Sequence, residues 1–240
     1  MTLLLAVLLA FPPVVMYHRV DAASPDDAIG RRLTISPSQF ADELQSLHHR
    51  GIRTIGIDEL ARDLAARRTP PHAVLLTFDD GYGDQFRYAF PILQRFGDRA
   101  TFFVNTSTIG KPGHLTWSDL QAMSAAGMSI ECHGVAHVDL ASLGAAASRY
   151  QVDRCVASLQ AHLRRPILAF AYPSGGFGAQ TIQAEKNAGV LLGFTTDVRF
   201  QTDRFSPYQV ARIRVLNGMP DGRFDALLAR PPTYVDFSVP

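Results

Sequence analysis

Two clusters in this chain have the residue types and spacing for hydrolytic chemistry. The first is Asp79-Asp80-Gly81, which ends the apolar run Ala73-Val74-Leu75-Leu76-Thr77-Phe78. The second is His133-Gly134-Val135-Ala136-His137, which follows Met128-Ser129-Ile130-Glu131-Cys132. Two imidazoles and one carboxylate, with coordination positions left open, form the ligand set of a hydrolytic metal site. Histidines four apart share a face if their segment turns helically. The second carboxylate of the Asp pair is then free to accept a proton. Neighbouring side chains on a strand point to opposite faces, so Asp79 and Asp80 can do different jobs. Gly81 permits a sharp turn after them. The plainer alternative is an Asp pair that caps the next helix.

Both clusters sit where predicted strands end. Eight segments read as strands: Val14–His18, Arg53–Ile57, Val74–Phe78, Ala100–Val104, Met128–Cys132, Ile167–Tyr172, Val190–Thr195 and Ala211–Val215. Helical patterns separate most of them. Ser36-Pro37 opens one helix, with Phe40, Leu44 and Leu47 on one face. Another runs from Ile57 through Leu64. Thr116 and Asp119 resemble a capping box. Longer periodicity spans Ala145 to Arg165, and shorter helices fall at Thr181–Ala188 and Phe224–Ala229. Strand and helix alternating in this way predict parallel pairing with right-handed crossovers. The expected fold is α/β, a (β/α) barrel of seven or eight parallel strands, distorted or incomplete, with a doubly wound sheet as the alternative. Chemistry gathers at the C-terminal mouth in either case.

Composition narrows the classes. The chain has 240 residues, 47% hydrophobic and 19% charged, with 23 basic and 22 acidic residues and a net charge of +1. Nucleic-acid binders show a basic excess that is absent here. No CxxC pair accompanies Cys132 and Cys155, so a thiolate zinc site is not expected; both read as small buried hydrophobes, with a disulfide left open. Thr2 to Phe11 is almost wholly apolar but too short for a membrane span. It is similar to the apolar part of an export signal, or it packs on the fold. The reading leans to export, hence a cell-envelope or secreted protein, with the cytoplasm as alternative. Residues 1–12 are this segment, 13–230 one domain, and 231–240 an irregular tail.

Thr77-Phe78-Asp79-Asp80-Gly81-Tyr82, then His133-x-x-x-His137, then Ala171-Tyr172-Pro173-Ser174-Gly175 resemble the NodB-homology polysaccharide deacetylases, carbohydrate esterase family 4. Met16-Tyr17-His18-Arg19-Val20 and Phe170-Ala171-Tyr172-Pro173 are more similar to its poly-N-acetylglucosamine deacetylase branch. The resemblance covers the chain from about Val14 to Leu216. It implies that Asp80, His133 and His137 bind one divalent metal, zinc first, with cobalt, nickel or manganese as alternatives. It implies that Asp79 is the base and that the Tyr82 backbone N–H helps hold an oxyanion. The implied reaction removes N-acetyl groups from N-acetylglucosamine units of a polysaccharide. Poly-β-1,6-N-acetylglucosamine is the first choice of substrate, chitin-like polymers or peptidoglycan the second.

The chain departs from the family pattern in three places. Gly134 replaces a Ser or Thr after the first metal histidine. Ala171 and Ser174 stand where the family has Arg and an aromatic residue. The late Leu-x-His that supplies the acid is missing, since no histidine follows His162. His18, ending the first strand, is the substitute candidate for the acid; the alternative is a histidine satisfied by Arg19 or backbone. Tyr172, Pro173 and Trp117 are the candidates for substrate binding. His114 reads as a solvated loop residue, with the lining of a sugar subsite as the alternative, and Asp197 as a ligand-orienting residue or a turn cap. The missing Arg and Leu-x-His leave two rival readings, a non-catalytic carbohydrate-binding protein and an O-deacetylase. The sequence is silent on oligomeric state.

Overall fold

The computed structural model describes residues 8–196, 205–220, 222–229 and 234–236. All eight predicted strands are present: β1 (Val14–Tyr17), β2 (Arg53–Ile55), β3 (Ala73–Phe78), β4 (Thr101–Val104), β5 (Ser129–Cys132), β6 (Ala169–Ala171), β7 (Leu192–Phe194) and β8 (Ile213–Arg214). They form one parallel sheet in the order β7-β6-β5-β4-β3-β1-β8. β2 pairs with the first half of β3, at Ala73–Leu75, while β4 pairs with its second half, at Thr77–Phe78. A parallel bridge from Phe194 to Val210 links β7 to the segment entering β8. The sheet thus curls into a distorted (β/α) barrel, as expected.

Side-chain alternation sorts the core into two layers. Val74, Leu76 and Phe78 pack in the larger cluster with Phe40, Leu44, Leu93 and Leu120 from the helices. Ala73 and Leu75 pack in a second cluster with Ile55, Phe103, Ala171 and Phe194, inside the curl. Thr77 and Asp79 continue that inner face by the period of two. Every side chain of β3 is buried, as a parallel strand covered on both faces requires.

The helices are α1 (Ala28–Leu33), α2 (Pro37–His49), α3 (Ile57–Ala65), α4 (Phe90–Phe96), α5 (Trp117–Ala125), α6 (Ala145–Leu163), α7 (Ala179–Asn187) and α8 (Arg223–Leu228). Ser36 caps α2 by accepting from Gln39 N–H, and Thr116 with Asp119 forms the expected capping box on α5. Sequence periodicity did not reveal α1, nor the π-helical turn Gln85–Ala89 that runs into α4. Both are short, and Pro91 interrupts the pattern of the second. The tail expected to be irregular contributes a strand, Tyr234–Asp236, which pairs antiparallel with Leu8–Ala10 of the apolar N-terminal segment. The two cysteines form a disulfide that ties the end of β5 to α6. No described helix is long and apolar enough to cross a membrane.

Candidate active site

β3 delivers the Asp pair to the mouth. Asp79 keeps strand register, its N–H donating to Tyr17 O at 3.0 Å, and its carboxylate stays on the buried inner face. Asp80 then adopts a left-handed backbone (φ 73°), a conformation that costs a non-glycine residue energy, and Gly81 repeats it (φ 72°). The turn carries the Asp80 carboxylate away from Asp79 and towards the histidines.

Asp80 Oδ1 lies 3.4 Å from His133 Nε2 and 3.6 Å from His137 Nε2. Ligand atoms of all three residues fall within 4.8 Å of one another. His133 is buried, and its Nδ1 donates to Ala171 O at 2.7 Å. That bond fixes the tautomer and leaves Nε2 as a lone pair facing Asp80. Asp80 Oδ1 is buried without a hydrogen-bond partner. A buried carboxylate oxygen is costly in that state, and a cation shared with two imidazole nitrogens would satisfy it. The donor set fits one divalent ion.

His133 and His137 do not turn helically, as the spacing suggested. Gly134 takes a left-handed φ of 85°. The amides of Val135 and Ala136 both donate to Gln151 Oε1 from α6, at 2.9 Å each. Loop closure on a glutamine, rather than a helix, brings the second imidazole round. A Cβ on residue 134 would stand 3.3 Å from both Ala136 O and Gln151 Oε1, which accounts for glycine at this position. His137 stays half exposed at the rim, its side chain 48% accessible.

Asp79 has a partner that the sequence did not reveal. Arg212 Nη1 and Nη2 donate to Asp79 Oδ1 and Oδ2, both at 2.7 Å. The same guanidinium donates to Thr77 Oγ1 and Thr195 O. Burial alone would push the Asp79 carboxyl up. Arg212, with His133 and His18 behind it, outweighs that and holds Asp79 well below the usual carboxylate range. The family's Arg position is Ala171, on the inner face; here the residue leading into β8 supplies the guanidinium. The basic-apolar-basic pattern Arg212-Ile213-Arg214, inside a predicted barrel strand, was the available signal.

His18 lines the same cleft as Asp79, Asp80, Tyr82, His133 and His137, a space of about 430 Å³. Burial lowers its pKa against the pull of Asp79 and Asp80, so it is neutral near pH 7. Its Nδ1 is buried with no partner, and Arg19 bonds Asp84 instead, at 2.7 Å. Gln85 Nε2 donates to both His18 O and Asp79 O, locking the two strand ends together. Tyr82 faces His114 in an antiparallel bridge, closed by Gly83 N to Gly113 O and Leu115 N to Gly81 O. In such a pair the residue's own N–H points away from the partner strand. The Tyr82 ring stacks on His114 with centroids 5.4 Å apart, and His114, half-buried, lines the cleft.

The three candidates for substrate binding are not brought to the cleft. Tyr172 is fully buried on the outer face of its strand, and its hydroxyl lies within hydrogen-bond distance of Glu185 Oε2, at 2.8 Å, and Tyr208 O, at 2.9 Å. Strand alternation sends Tyr172 to the helix layer because it puts Ala171 inside. Pro173 is buried, and Ser174 lines the cleft in its place. Trp117 opens α5 and stacks on His162 at 3.7 Å, outside the cleft lining. Asp197 lies outside the described residues.

The comparisons with known proteins agree with this geometry. The family described as polysaccharide deacetylase matches residues 66–193. YxkH of Bacillus subtilis, itself named only provisionally as a polysaccharide deacetylase, is 28% identical over 217 residues, 90% of this chain and 75% of the relative. A poly-β-1,6-N-acetyl-D-glucosamine N-deacetylase of Staphylococcus epidermidis is 25% identical over 225 residues, 84% of this chain and 78% of the relative. The Streptococcus pyogenes deacetylase PplD, solved with acetate, superposes with a TM-score of 0.82 at 27% identity, over 93% of this chain and 99% of that one. A match spanning more than half the chain, with its motif residues converging on one cleft, makes this protein a member of the polysaccharide deacetylase family, and so a carbohydrate-deacetylating hydrolase.

Proposed function

We propose that this enzyme removes N-acetyl groups from N-acetylglucosamine units of a polysaccharide, with one divalent ion held by Asp80, His133 and His137. Zinc is the first candidate for an Asp-His-His set, ahead of cobalt, nickel and manganese. When bound, the ion supplies Lewis acidity to the acetyl carbonyl and lowers the pKa of water. A poly-β-1,6-N-acetylglucosamine-like exopolysaccharide is the first substrate by resemblance, with chitin-like polymers and peptidoglycan next. Such polymers place the work of the enzyme in the cell envelope or outside the cell.

Asp79 accepts the proton from the attacking water. Arg212 occupies one site on each of its oxygens, and a carboxylate offers about four, so room for that proton remains. The same contact keeps Asp79 ionised and fixes its plane. The Tyr82 N–H is the donor for the developing oxyanion, a contribution of about 3–4 kcal/mol where such donors have been removed elsewhere. His18 starts neutral, gains the proton that Asp79 has taken, and hands it to the leaving nitrogen. The single observation that carries this reading is the orphaned Asp80 Oδ1 facing two imidazole nitrogens beside a separately held carboxylate.

Acetate release from N-acetylglucosamine oligomers, with and without a chelator, tests it. Chelation should abolish release, and added zinc should restore it. Asp79→Asn should lower kcat by about 10²–10⁴-fold with the metal still bound. Equal turnover in that variant would remove Asp79 from the role of base.

A further inference from the structure

Arg214 lies in β8 and Arg212 immediately before it, two residues apart and so on one side of the chain by the period of two. Arg212 is buried, and its donors are engaged with Asp79, Thr77 and Thr195. Arg214 sits one layer nearer the mouth. It is exposed and lines the cleft with His18, Asp79 and Asp80. Among the described residues it forms no hydrogen bond and no ion pair. The carboxylates nearby are already engaged. Asp79 is held by Arg212, and Asp80 faces the two histidines. Partial desolvation and the Arg212 charge lower the pKa of Arg214, Asp79 opposes them, and Arg32 on α1 adds to the repulsion. The Asp79 carboxylate that attracts Arg214 is already paired with Arg212, so the Arg214 guanidinium keeps its donors for an anion.

The walls beside this guanidinium suit a sugar. Ile29, 73% exposed, and Leu33 offer apolar surface from α1, and Tyr82 stacked on His114 offers ring faces. A neutral homopolymer could use those walls and would leave the guanidinium charge unmatched. A planar guanidinium fork matches phosphate and carboxylate oxygens two at a time.

We propose that Arg214 is a specificity residue that binds an anionic group, a phosphate or a carboxylate, carried by the polymer next to the acetylated sugar. This rests on the deacetylase reading of the cleft and turns its choice of substrate from the neutral N-acetylglucosamine homopolymers to an anionic glycan. The test compares kcat/KM for acetate release from three substrates: a neutral N-acetylglucosamine oligomer, the same oligomer bearing a phosphate, and the same oligomer bearing a carboxylate. The wild type should favour at least one anionic oligomer by about tenfold or more at low salt. High salt should shrink that ratio. Arg214→Gln should bring the ratio to about one, and Arg214→Lys should keep part of it. The arm that wins identifies the anion. Titration of chelator-treated protein with the same oligomers should rank their affinities in the same order without turnover. Equal kcat/KM for neutral and anionic oligomers in the wild type, or an unchanged ratio in Arg214→Gln, overturns the proposal. If no oligomer releases acetate while the chelated protein still ranks them through Arg214, the deacetylase reading fails and the anion site stands.

Discussion

Two buried carboxylates in this barrel are each paired with an arginine, and their states differ. Asp79, at the mouth, meets a guanidinium that is itself buried and grips both oxygens at 2.7 Å. Glu131, on β5, meets Arg165 through one bond of 2.6 Å, from a side chain 23% exposed. Its other oxygen accepts the amides of Leu168 and Ala169. Desolvation dominates at Glu131 and pushes its pKa up to about 7, although Arg165 and the amides pull the other way. Desolvation is overcome at Asp79. A charge loses its hydration in both places, and only a fully enclosed bidentate cation restores enough of it. Asp79, the proposed base, is kept ionised; Glu131, which staples β5 to the start of β6, is allowed to neutralise.

Removing one partner from each pair should expose that difference. Arg212→Met leaves Asp79 buried and unpaired, and should lower the unfolding free energy by about 3–5 kcal/mol, read from urea midpoints at constant m. Glu131→Gln at pH 6 replaces a carboxyl that is already largely protonated, and should cost less than about 1.5 kcal/mol. Equal losses would break the comparison.

The pH dependence sharpens it. Glu131 titrates at about 7 when folded against 4.5 for the free group. Between those values the folded chain holds the extra proton, so stability falls as pH rises. The stabilisation is complete below pH 4.5 and gone once pH passes the folded value. Glu43 and Glu185, raised by burial to about 7 and about 8, add to the same slope. Asp79 runs the other way: its contribution is complete above the usual carboxylate range and is lost only as pH falls through its lowered pKa. Unfolding free energy measured from pH 5 to 8 should therefore decline, and Glu131→Gln should remove up to about 3 kcal/mol of that decline. A profile unchanged by Glu131→Gln would mean that Glu131 stays ionised like Asp79.

The smallest effect separates cleft from core. Tyr172→Phe removes a hydroxyl bonded to Glu185 and Tyr208 O and should cost about 1–2 kcal/mol of stability. Acetate release should be unchanged, since the ring faces helices. A rise in KM would return Tyr172 to the substrate.

Residues whose places in the fold were legible in the sequence owe those places to local rules. The run Ala73–Phe78 is apolar throughout because a strand covered on both faces must be. Its end places two adjacent carboxylates at the mouth, and the β5 end places the histidines there by the same logic. Asp79 and Asp80 do take separate directions, but a left-handed turn at Asp80 and Gly81, not strand alternation, separates them. Other features were settled by which distant segments met. Asp79 and Arg212 are 133 residues apart, and their contact exists because β8 pairs with β1 at the closing edge of the sheet. Gln151 folds the histidine loop from a helix, and Ala171 rather than Tyr172 faces inward because of the phase of β6. A buried charge requires a partner, and its own sequence states that need; which residue answers it depends on how the sheet closes, and that is a property of the whole chain.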